Sequence, residues 1–434
     1  MKSRKKQRFN SHPSIENSFT GEQLTAFSGL NPLGKFIDKI GVRKELDNLF
    51  PTAEYKSLKF LDVQILLSII FASLAGINRL NRITHMSSDP LVMKLLGLPK
   101  VFNKDIISTR LKGLGQNGAM KLHSYFQNSV HQFLKKTGRE SITLDVDSTV
   151  QSVCGKQEGT GKGYNPSKKG GRSYHNLIGF IGELKLVVNT WFRDGTAYTA
   201  NGVCEFIKEI HARLPEKVKG VFFRADSGFF NGDLFDQLEK WEWEYLVKVK
   251  LRGLKNILEK QVWVKDVDGN EYCKFTYQCG SWEVERQFYG VRKIDKYEER
   301  EFLGEKQLVP IYQYSCFCST LVESSKSIYK RYRDRSTSET WIEEVKSQAK
   351  AGSTLTNNYF ANEILWILSC MAYNIGVMAR SKASIKDIRE HKTFKDRFVV
   401  VPGKLVNIAG RLKLKIYENY FYSSQWVATE VSLE

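Results

Sequence analysis

The spacing of apolar and polar positions changes near residue 140. Before this point the chain carries apolar-rich or helically spaced segments, which polar residues, glycine or proline separate. These segments are Leu58 to Ala75, Asp105 to Leu114 and Ala119 to Lys135. Residues 1–140 are therefore predicted to form a separate helical domain.

From Ser141 the pattern becomes that of strands, with helices between the later ones. Strands are predicted at Ile142 to Val150, His175 to Gly182, Lys185 to Phe192, Gly220 to Ala225 and Tyr245 to Lys250, and helices at Ala200 to Leu214 and Asn231 to Glu239. The order βββαβαβ, with a final helix still to come, is that of ribonuclease H-like folds. Such folds place the first and fourth strands side by side at the centre of a mixed sheet.

The final helix is delayed by residues 251–310, which alternate like β-structure and are predicted to form an inserted β-subdomain. The predicted fold is therefore mixed α/β, with a ribonuclease H-like core at 141–250 and 311–385. The final helix of this order is expected from Ser325 through Lys346. A second helix, Asn358 to Ala379, is expected to pack behind it. Residues 386–434 form a basic C-terminal segment, strand-like at Phe398 to Val401 and Leu412 to Tyr417.

Charge and hydropathy indicate which kind of partner the protein binds. The chain has 66 Lys and Arg against 47 Asp and Glu, a net charge of +19, which favours a polyanionic partner. The most apolar window, Phe360 to Met378, approaches membrane-spanning length, but Asn362, Glu363 and Asn374 interrupt it. It is interpreted as a buried core helix, so no membrane is expected. The N-terminus lacks a secretory signal, which predicts a cytoplasmic protein.

Two possible metal motifs are weak. Four of the seven cysteines, Cys273, Cys279, Cys316 and Cys318, lie in strand-like segments, but their spacing matches no usual zinc site, which favours packed thiols in a reducing compartment. The segment Asp266 to Asn270 begins like a calcium loop, but Tyr277 stands where a glutamate would be needed. A hairpin turn is predicted there instead.

Acidic residues occur where the pattern predicts buried strands. In ITLDVDSTV, Asp145 and Asp147 share one face of a strand because side chains alternate with a period of two. In VFFRADSGFF, a strand ends at Asp226. A buried carboxylate is hydrogen-bonded, ion-paired or bound to a cation, and a strand-end acid is commonly a helix N-cap. Either acid alone therefore fits a structural role.

A third acid lies on the predicted final helix. Tyr332, Arg335, Glu339 and Lys346 fall on one narrow stripe at about 100° per residue. Ion pairing on a solvated helix is the common explanation of such a stripe. Two strand-borne acids with a third on a later helix and flanking cations are, however, what two-metal phosphoryl transfer requires.

The residues resemble a known family. Tyr332, Arg335, Glu339 and Lys346 match, without a gap, the Tyr-x2-Arg-x3-Glu-x6-Lys signature of a group of DDE transposases from bacterial insertion sequences. The segments LDVDSTV, GKQEG, GYNPSKKGGRSYH and RADSGF are similar to those of the insertion sequence 1380 branch. This resemblance covers most of the chain, from Asp145 to Asn374.

The resemblance implies a DNA transposase with Asp147, Asp226 and Glu339 as catalytic metal ligands. It implies two Mg²⁺ ions, for which Mn²⁺ can substitute, and DNA phosphates held by Tyr332, Arg335 and Lys346. Double-stranded DNA, as the terminal inverted repeats and the target, is the implied partner, and the protein is expected to act as a homodimer. A bacterial cytoplasmic location, at the nucleoid when DNA is bound, is also implied.

Other segments are candidates for DNA contact. The glycine-rich loop from Gly155 to Arg172 suits a clamp on a phosphate backbone, although a solvated hairpin loop fits as well. The helical domain with its basic arm, Lys2 to Arg8, is the candidate for recognising the transposon end. An aromatic of the β-subdomain could stack on a flipped base, or all of them could be core. The loop cations are Lys156, Lys168, Lys169 and Arg172, and the aromatics are Trp263, Tyr277, Trp282 and Phe288.

Two other functions compete with transposition. A transposase-derived DNA-binding protein would keep the basic surface without needing the acids, and the intact triad disfavours it. Another nuclease on the same fold is disfavoured by the Tyr-Arg-Glu-Lys spacing, because the fold alone does not fix the substrate.

Overall fold

The computed structural model describes residues 15–51, 59–163, 165, 168–198, 200–267, 269–302, 305–349, 351–353, 356–383 and 390–434. The basic arm from Lys2 to Arg8 lies outside these residues, and so does Asp268 of the predicted hairpin turn. The fold is mixed α/β, and a nine-stranded mixed sheet forms its centre.

The helices fall into three groups along the chain. Before the sheet come α1 (Leu30–Lys39), α2 (Val42–Leu49), α3 (Asp62–Leu74), α4 (Leu80–Met86), α5 (Pro90–Leu96) and α6 (Lys104–Thr137). Among the strands lie α7 (Val203–His211), α8 (Gly232–Lys240) and α9 (Leu254–Glu259). After the sheet come α10 (Ser325–Asp334), α11 (Ser336–Glu343), α12 (Tyr359–Lys382), α13 (His391–Phe394) and α14 (Ser423–Leu433).

The strands form two sheets. The small sheet has the order β1 (Gln23–Thr25), β11 (Gly403–Ile408) and β12 (Arg411–Ile416). The large sheet has the order β4-β3-β2-β5-β6-β10-β9-β8-β7. Its strands are β2 (Ser141–Ser152), β3 (Ser173–Ile181), β4 (Leu186–Trp191), β5 (Gly220–Ala225), β6 (Glu244–Lys248), β7 (Val264–Lys265), β8 (Glu271–Tyr277), β9 (Arg286–Phe302) and β10 (Glu305–Ser319).

The centre of the large sheet has the arrangement that the sequence predicted. β2 and β5, the first and fourth strands of the predicted core, are parallel neighbours, and β6 is parallel to β5. β3 and β4 continue antiparallel on the other side of β2. The parallel connections pass through α7 and α8, as parallel pairing requires a crossover. The C-terminal end of β5, at Ala225, therefore lies beside Val146 in the middle of β2.

The β-rich segment after residue 250 extends this sheet. β10 pairs antiparallel with β6, with Phe317 opposite Lys248, and β9, β8 and β7 follow outward. The predicted β-structure is present, but its strands continue the main sheet rather than forming a sheet of their own. β7 and β8 pair across the turn at Asp266 to Asn270, so the predicted hairpin is also present.

The helices before the sheet share its core. α3 and α6 both pack against α12, and α12 also packs against β4. Side chains of α3, α6 and α12 belong to one buried apolar cluster with the inner face of the sheet. Gly115 interrupts α6 with a φ of 56°, which divides it into the two parts that the sequence predicted as separate helices.

α12 is the predicted core helix. Within the described residues it alone is long and apolar enough to span a membrane, and 94% of its apolar window is buried inside the protein. The Asn358 side chain caps its start by accepting a hydrogen bond from the Ala361 amide at 3.0 Å. Burial on several sides explains why its composition approaches that of a membrane helix.

Two predictions of local structure need correction. The single helix expected from Ser325 through Lys346 is divided at Arg335 into α10 and α11, and a π-helical turn at Glu344–Gln348 follows. The strand expected at Phe398 to Val401 begins instead as a π-helical turn, Lys395–Val399. There Phe398 stacks on Phe394, one turn earlier, with ring centroids 5.2 Å apart, a contact that only helical spacing allows.

Candidate active site

Asp147 and Asp226 meet at the centre of the sheet. β2 and β5 pair in parallel, with Asp145 opposite Arg224 and Val146 opposite Ala225, so Asp226 follows β5 beside Asp147. The Asp226 carboxylate also accepts a hydrogen bond from the Gly228 amide at 2.9 Å, at the start of a short 3₁₀ helix. The N-cap role considered from the sequence is thus present, and it fixes the Asp226 carboxylate at the end of β5.

Asp145 has a different partner from Asp147. The Arg224 guanidinium donates two hydrogen bonds to its carboxylate, both at 2.8 Å, and the Asp145 side chain is 1% exposed. Burial raises the pKa of Asp145, and Arg224 opposes this effect. Arg224 also donates to the Arg331 carbonyl of α10 at 3.1 Å. The Asp145–Arg224 pair therefore connects the two central strands to the helix that precedes Arg335.

Asp147 is held by the cation of the helical stripe. One oxygen accepts from the Ser148 amide at 2.7 Å, and the other accepts from the Arg335 guanidinium at 2.6 Å. Burial raises the pKa of Asp147 to about 6; Arg335 lowers it and Asp226 raises it further. Arg335 therefore supplies a positive charge where the two carboxylates approach each other.

Arg335 is buried rather than presented to solvent. Its side chain is 5% exposed, and its second acidic neighbour, Glu339, lies at 3.9 Å. Burial disfavours the charged form, but Asp147 and the other nearby groups outweigh this and raise the pKa of Arg335. Its Nε has no hydrogen-bond partner among the described residues. The structure therefore places Arg335 against a candidate catalytic carboxylate, and the contact with DNA phosphate that the resemblance implies stays a prediction.

Tyr332 lies within electrostatic reach of all three candidate acids. Burial raises the pKa of its hydroxyl to about 12; Arg335 opposes the shift, and Asp226, Asp147 and Glu339 add to it. Its ring packs on Phe317 of β10, with centroids 4.6 Å apart. Tyr332 is therefore fixed on the sheet beside the acids.

Glu339 lies at the rim of the site and Lys346 lies beyond it. Glu339 is 70% exposed on α11. In the described part of the chain no three Asp, Glu, His or Cys side chains come close enough together to hold a metal ion. Lys346 is half-buried in the π-helical turn; burial lowers its pKa, and Glu343 opposes that shift. The structure thus brings Asp147, Asp226 and Arg335 together and leaves Glu339 exposed on α11.

The donor chemistry of the site nevertheless suits a divalent cation. Carboxylate oxygens are the ligands that Mg²⁺ and Mn²⁺ prefer. Asp147 and Asp226 repel each other, and Arg335 opposes this repulsion from its hydrogen bond with Asp147. Glu339 is exposed and lies one helical turn from Arg335, so its carboxylate can rotate toward the pair. These residues fit a metal of this class.

The glycine-rich loop is anchored at its base and carries exposed lysines. The Glu158 carboxylate accepts from the Tyr359 amide at 3.0 Å and from the Asn358 side chain at 2.9 Å, at the start of α12. Arg172 donates to the Thr160 hydroxyl at 3.0 Å, and so holds the loop together. The remaining candidate cations of the loop are all exposed: Lys156, Lys168 and Lys169.

The aromatic and cysteine candidates are packed residues. Phe288 is fully buried, Trp282 and Tyr277 lie 6.2 Å and 5.7 Å from it between ring centroids, and Arg292 covers Trp263 at 4.7 Å. Four cysteines are buried free thiols, which agrees with the packed-thiol interpretation: Cys273, Cys279, Cys316 and Cys318.

Arg224 is the residue that the sequence analysis missed. It stands in RADSGF immediately before the strand end, but its partner Asp145 is 79 positions away in the chain. The pairing could have been predicted from the register of the two strands, since parallel pairing places Asp145 opposite Arg224.

One family model and several solved structures are similar to this chain. No curated protein matches the chain in sequence. A piggyBac transposase synaptic complex with hairpin DNA is similar at a TM-score of 0.49 and 13% identity, over 87% of this chain and 81% of that one. The Mos1 transposase paired-end complex is similar at 0.17 and 12%, over 36% and 52%. Neither score adds to the assignment, which rests on the family model described as Transposase DDE domain group 1. That model matches residues 7–432, and the chain therefore belongs to this family of DDE transposases.

Proposed function

We propose that this DNA transposase cleaves DNA at the ends of its own insertion sequence and transfers the freed strand, using divalent metal ions at Asp147, Asp226 and Glu339. Membership of the family implies a nucleotidyl-transfer enzyme. The observation that carries the finer proposal is the pairing of β2 with β5, which sets Asp147 beside Asp226 under the guanidinium of Arg335. That arrangement matches what phosphoryl transfer needs at a strongly charged phosphodiester.

The metal would be held by the three carboxylates. Asp147 and Asp226 would bind it from the sheet, and Glu339 would complete the set from α11. We propose two Mg²⁺ ions, with Mn²⁺ as a substitute. When bound, such ions activate the attacking water and stabilise the leaving 3′ oxygen. A metal ion held by Asp147 would lie beside the carboxylate that now accepts a hydrogen bond from Arg335.

The chain's own cations then act on the DNA. Arg335 is buried beside the acids, and its guanidinium would donate to the phosphate oxygens of DNA bound at this site. Tyr332 keeps the helix in place through its contact with Phe317. Further phosphate contacts are proposed for Lys346 and for the exposed loop lysines Lys156, Lys168 and Lys169, while Arg172 would support the loop through Thr160.

A second copy of the chain is the proposed protein partner. β9 and β10 extend beyond β8 as a two-stranded arm whose side chains are largely exposed, and such a ribbon is marginally stable alone. Five acidic and four basic residues lie within 293–311, in a chain of net charge +19. This arm therefore suits the basic surface of another subunit better than DNA.

We also propose that the chain belongs to the insertion sequence 1380 branch and that it acts in the cytoplasm of a bacterium.

Strand cleavage with matched substitutions tests the proposal. We expect Asp147→Asn, Asp226→Asn and Glu339→Gln each to abolish Mg²⁺- or Mn²⁺-dependent cleavage of element-end DNA, while DNA affinity is largely kept, because ligand charge is lost without loss of phosphate contacts. The controls are Glu343→Gln on α11 and Asp233→Asn on α8, both exposed acids. Wild-type cleavage by any of the three variants would remove that residue from the set. A wild-type protein that binds end DNA without ever cleaving it would instead support the non-catalytic alternative.

A further inference from the structure

An open groove of about 640 Å³ runs along α10 toward the active site. On one side it is lined by Asn270 and Tyr272, at the start of β8. On the other side it is lined by α10, and its far end reaches Ser336 and Thr337 at the start of α11. The groove therefore leads from the sheet edge to within one helical turn of Glu339.

The α10 wall of this groove is basic. Lys326, Lys330 and Arg333 line it at spacings of four and three residues, which places them on one helix face. Lys326 pairs with Asp266 at 2.7 Å. Lys330 and Arg333 are exposed, and no carboxylate of the described residues lies within ion-pair distance of either.

The position of these cations is fixed by the packing of the helix. Ile328, on the opposite face of α10, is fully buried in an apolar cluster with Tyr289 and Phe317. Tyr329, half-buried on that cluster, forms part of the groove wall, and the Arg333 guanidinium lies 6.0 Å from its ring centroid. These three cations differ from those of an ordinary solvated helix face because they all line one open groove.

The spacing of the cations matches a nucleic acid backbone. Arg335 keeps helical backbone angles between α10 and α11, so at a rise of about 1.5 Å per residue Arg333, Lys330 and Lys326 lie roughly 9, 14 and 20 Å from Glu339 along the helix direction. One DNA strand advances about 3.4 Å per nucleotide. The three cations therefore correspond to positions roughly three to six nucleotides from a phosphate held at Glu339. Asp334 is the one acid among the described lining residues, and it lies at the active-site end.

We propose that this groove binds the phosphate backbone of the DNA strand about three to six nucleotides from the cleaved phosphate, through Lys330 and Arg333 with Lys326 at its outer end. The proposal rests on the function proposed above, and it adds a binding site on the face of α10 opposite Ile328. Exposed cations without a carboxylate partner gain most from releasing the counterions of DNA.

Salt-titrated binding of full-length protein to a 40-base-pair duplex tests the groove. The double variant Lys330→Ala/Arg333→Ala is expected to reduce the slope of log affinity against log salt by about two, since each phosphate contact contributes about one. The control is Lys255→Ala/Lys260→Ala on α9. Leu258 of α9 lies close to Gly290 of β9, whereas Tyr289 and Val291 face the α10 side, so this control lies across the sheet.

An equal slope for the groove variant and the wild type would overturn the proposal, and so would an equal reduction in both double variants. Lys330→Glu/Arg333→Glu should reduce affinity further than the alanine pair, and melting temperatures check that all variants fold. This test separates failure of the groove proposal from failure of the proposed function, because the salt slope measures DNA binding and requires no cleavage.

Position along the strand provides the second measurement. After the cleaved phosphate has been mapped, duplexes with one uncharged methylphosphonate are placed between two and ten nucleotides from it. Wild-type affinity should fall when the substitution lies about three to six nucleotides away, and the groove variant should not respond there. Sensitivity of both proteins at the same positions would overturn the assignment to Lys330 and Arg333.

Discussion

Asp145 and Asp147 lie two residues apart on one face of β2, but their partners come from different parts of the chain. Asp145 accepts two hydrogen bonds from Arg224 of the neighbouring strand, whereas Asp147 accepts one from Arg335, between α10 and α11. Alternation along a strand predicts that the two acids share a face. It does not identify partners 79 and 188 positions away. This is why the sequence analysis predicted neither the partner of Asp145 nor the contact of Arg335 with Asp147.

Substituting the two acids should separate stability from metal binding. Asp145→Asn leaves Arg224 buried without its counter-charge, so the free energy of unfolding should fall by about 3–5 kcal/mol. The stabilisation that added Mn²⁺ gives to the folded protein should remain. Asp147→Asn should lose most of that Mn²⁺-induced rise in melting temperature, since it removes a ligand.

The control for this pair is Asp145→Asn combined with Arg224→Met, which removes both buried charges and should recover part of the lost stability. Thermal melts with and without Mn²⁺ provide the measurement. Loss of the metal effect in Asp145→Asn, with retention in Asp147→Asn, would show that the wrong acid has been assigned to the metal.

At the scale of single elements, α12 shows how a largely buried helix can carry an acidic residue. Glu363 lies among its apolar residues, and burial raises the pKa of this carboxyl to about 7. The folded-state pKa thus exceeds the ordinary value of 4.5, so the unfolded chain loses its proton first as pH rises. Stability is expected to fall between about pH 4.5 and pH 7, and the cost is fully present above that window.

Glu363→Gln should therefore raise the melting temperature at pH 8 and change it little at pH 4. Exposed Glu343→Gln is the matched control, and it should have no comparable pH-dependent effect. A shift of the same size at both pH values would indicate a packing effect of the amide and would contradict the titration account.

The elements themselves were largely predictable, and their ends and breaks were not. The strand expected at Ile142 to Val150 is present as β2, and Gly115 divides α6 where the sequence indicated two helices. The division of the final helix at Arg335 was not visible, because the buried contact with Asp147 comes from a distant strand. Phe398 illustrates the same limit: its apolar run suits a strand, but it stacks on Phe394 and Trp426.

At the scale of the whole molecule, the spacing of apolar residues predicted the order of the central strands. It did not predict that the helices before the sheet share a core with it. A switch from helical to strand spacing suggested a boundary near residue 140. In the structure, side chains of α3 and α6 lie in the same buried cluster as α12 and the sheet. Periodicity records that a helix has an apolar face, and it does not record what covers that face.

A chain shortened to begin at Arg139 tests this shared core. Without α3 and α6, the apolar side of α12 that they cover would be exposed, and the shortened chain should aggregate or unfold without a cooperative transition. A chain beginning at Ile15, which keeps all described residues, is the control. Size-exclusion chromatography and thermal melts are the measurements. A monodisperse, cooperatively unfolding chain that starts at Arg139 would contradict the account.

The central claim is that Asp147, Asp226 and Glu339 form one divalent-metal site in a DNA-cleaving enzyme. Anomalous diffraction from crystals of the full chain soaked in Mn²⁺ tests it most directly, since the metal position is read without reference to activity. The account predicts Mn²⁺ between the Asp147 and Asp226 carboxylates, with Glu339 turned toward it and Arg335 released from Asp147. Mn²⁺ bound only elsewhere, with the Arg335–Asp147 pair intact at the same Mn²⁺ concentration that supports cleavage, would contradict it.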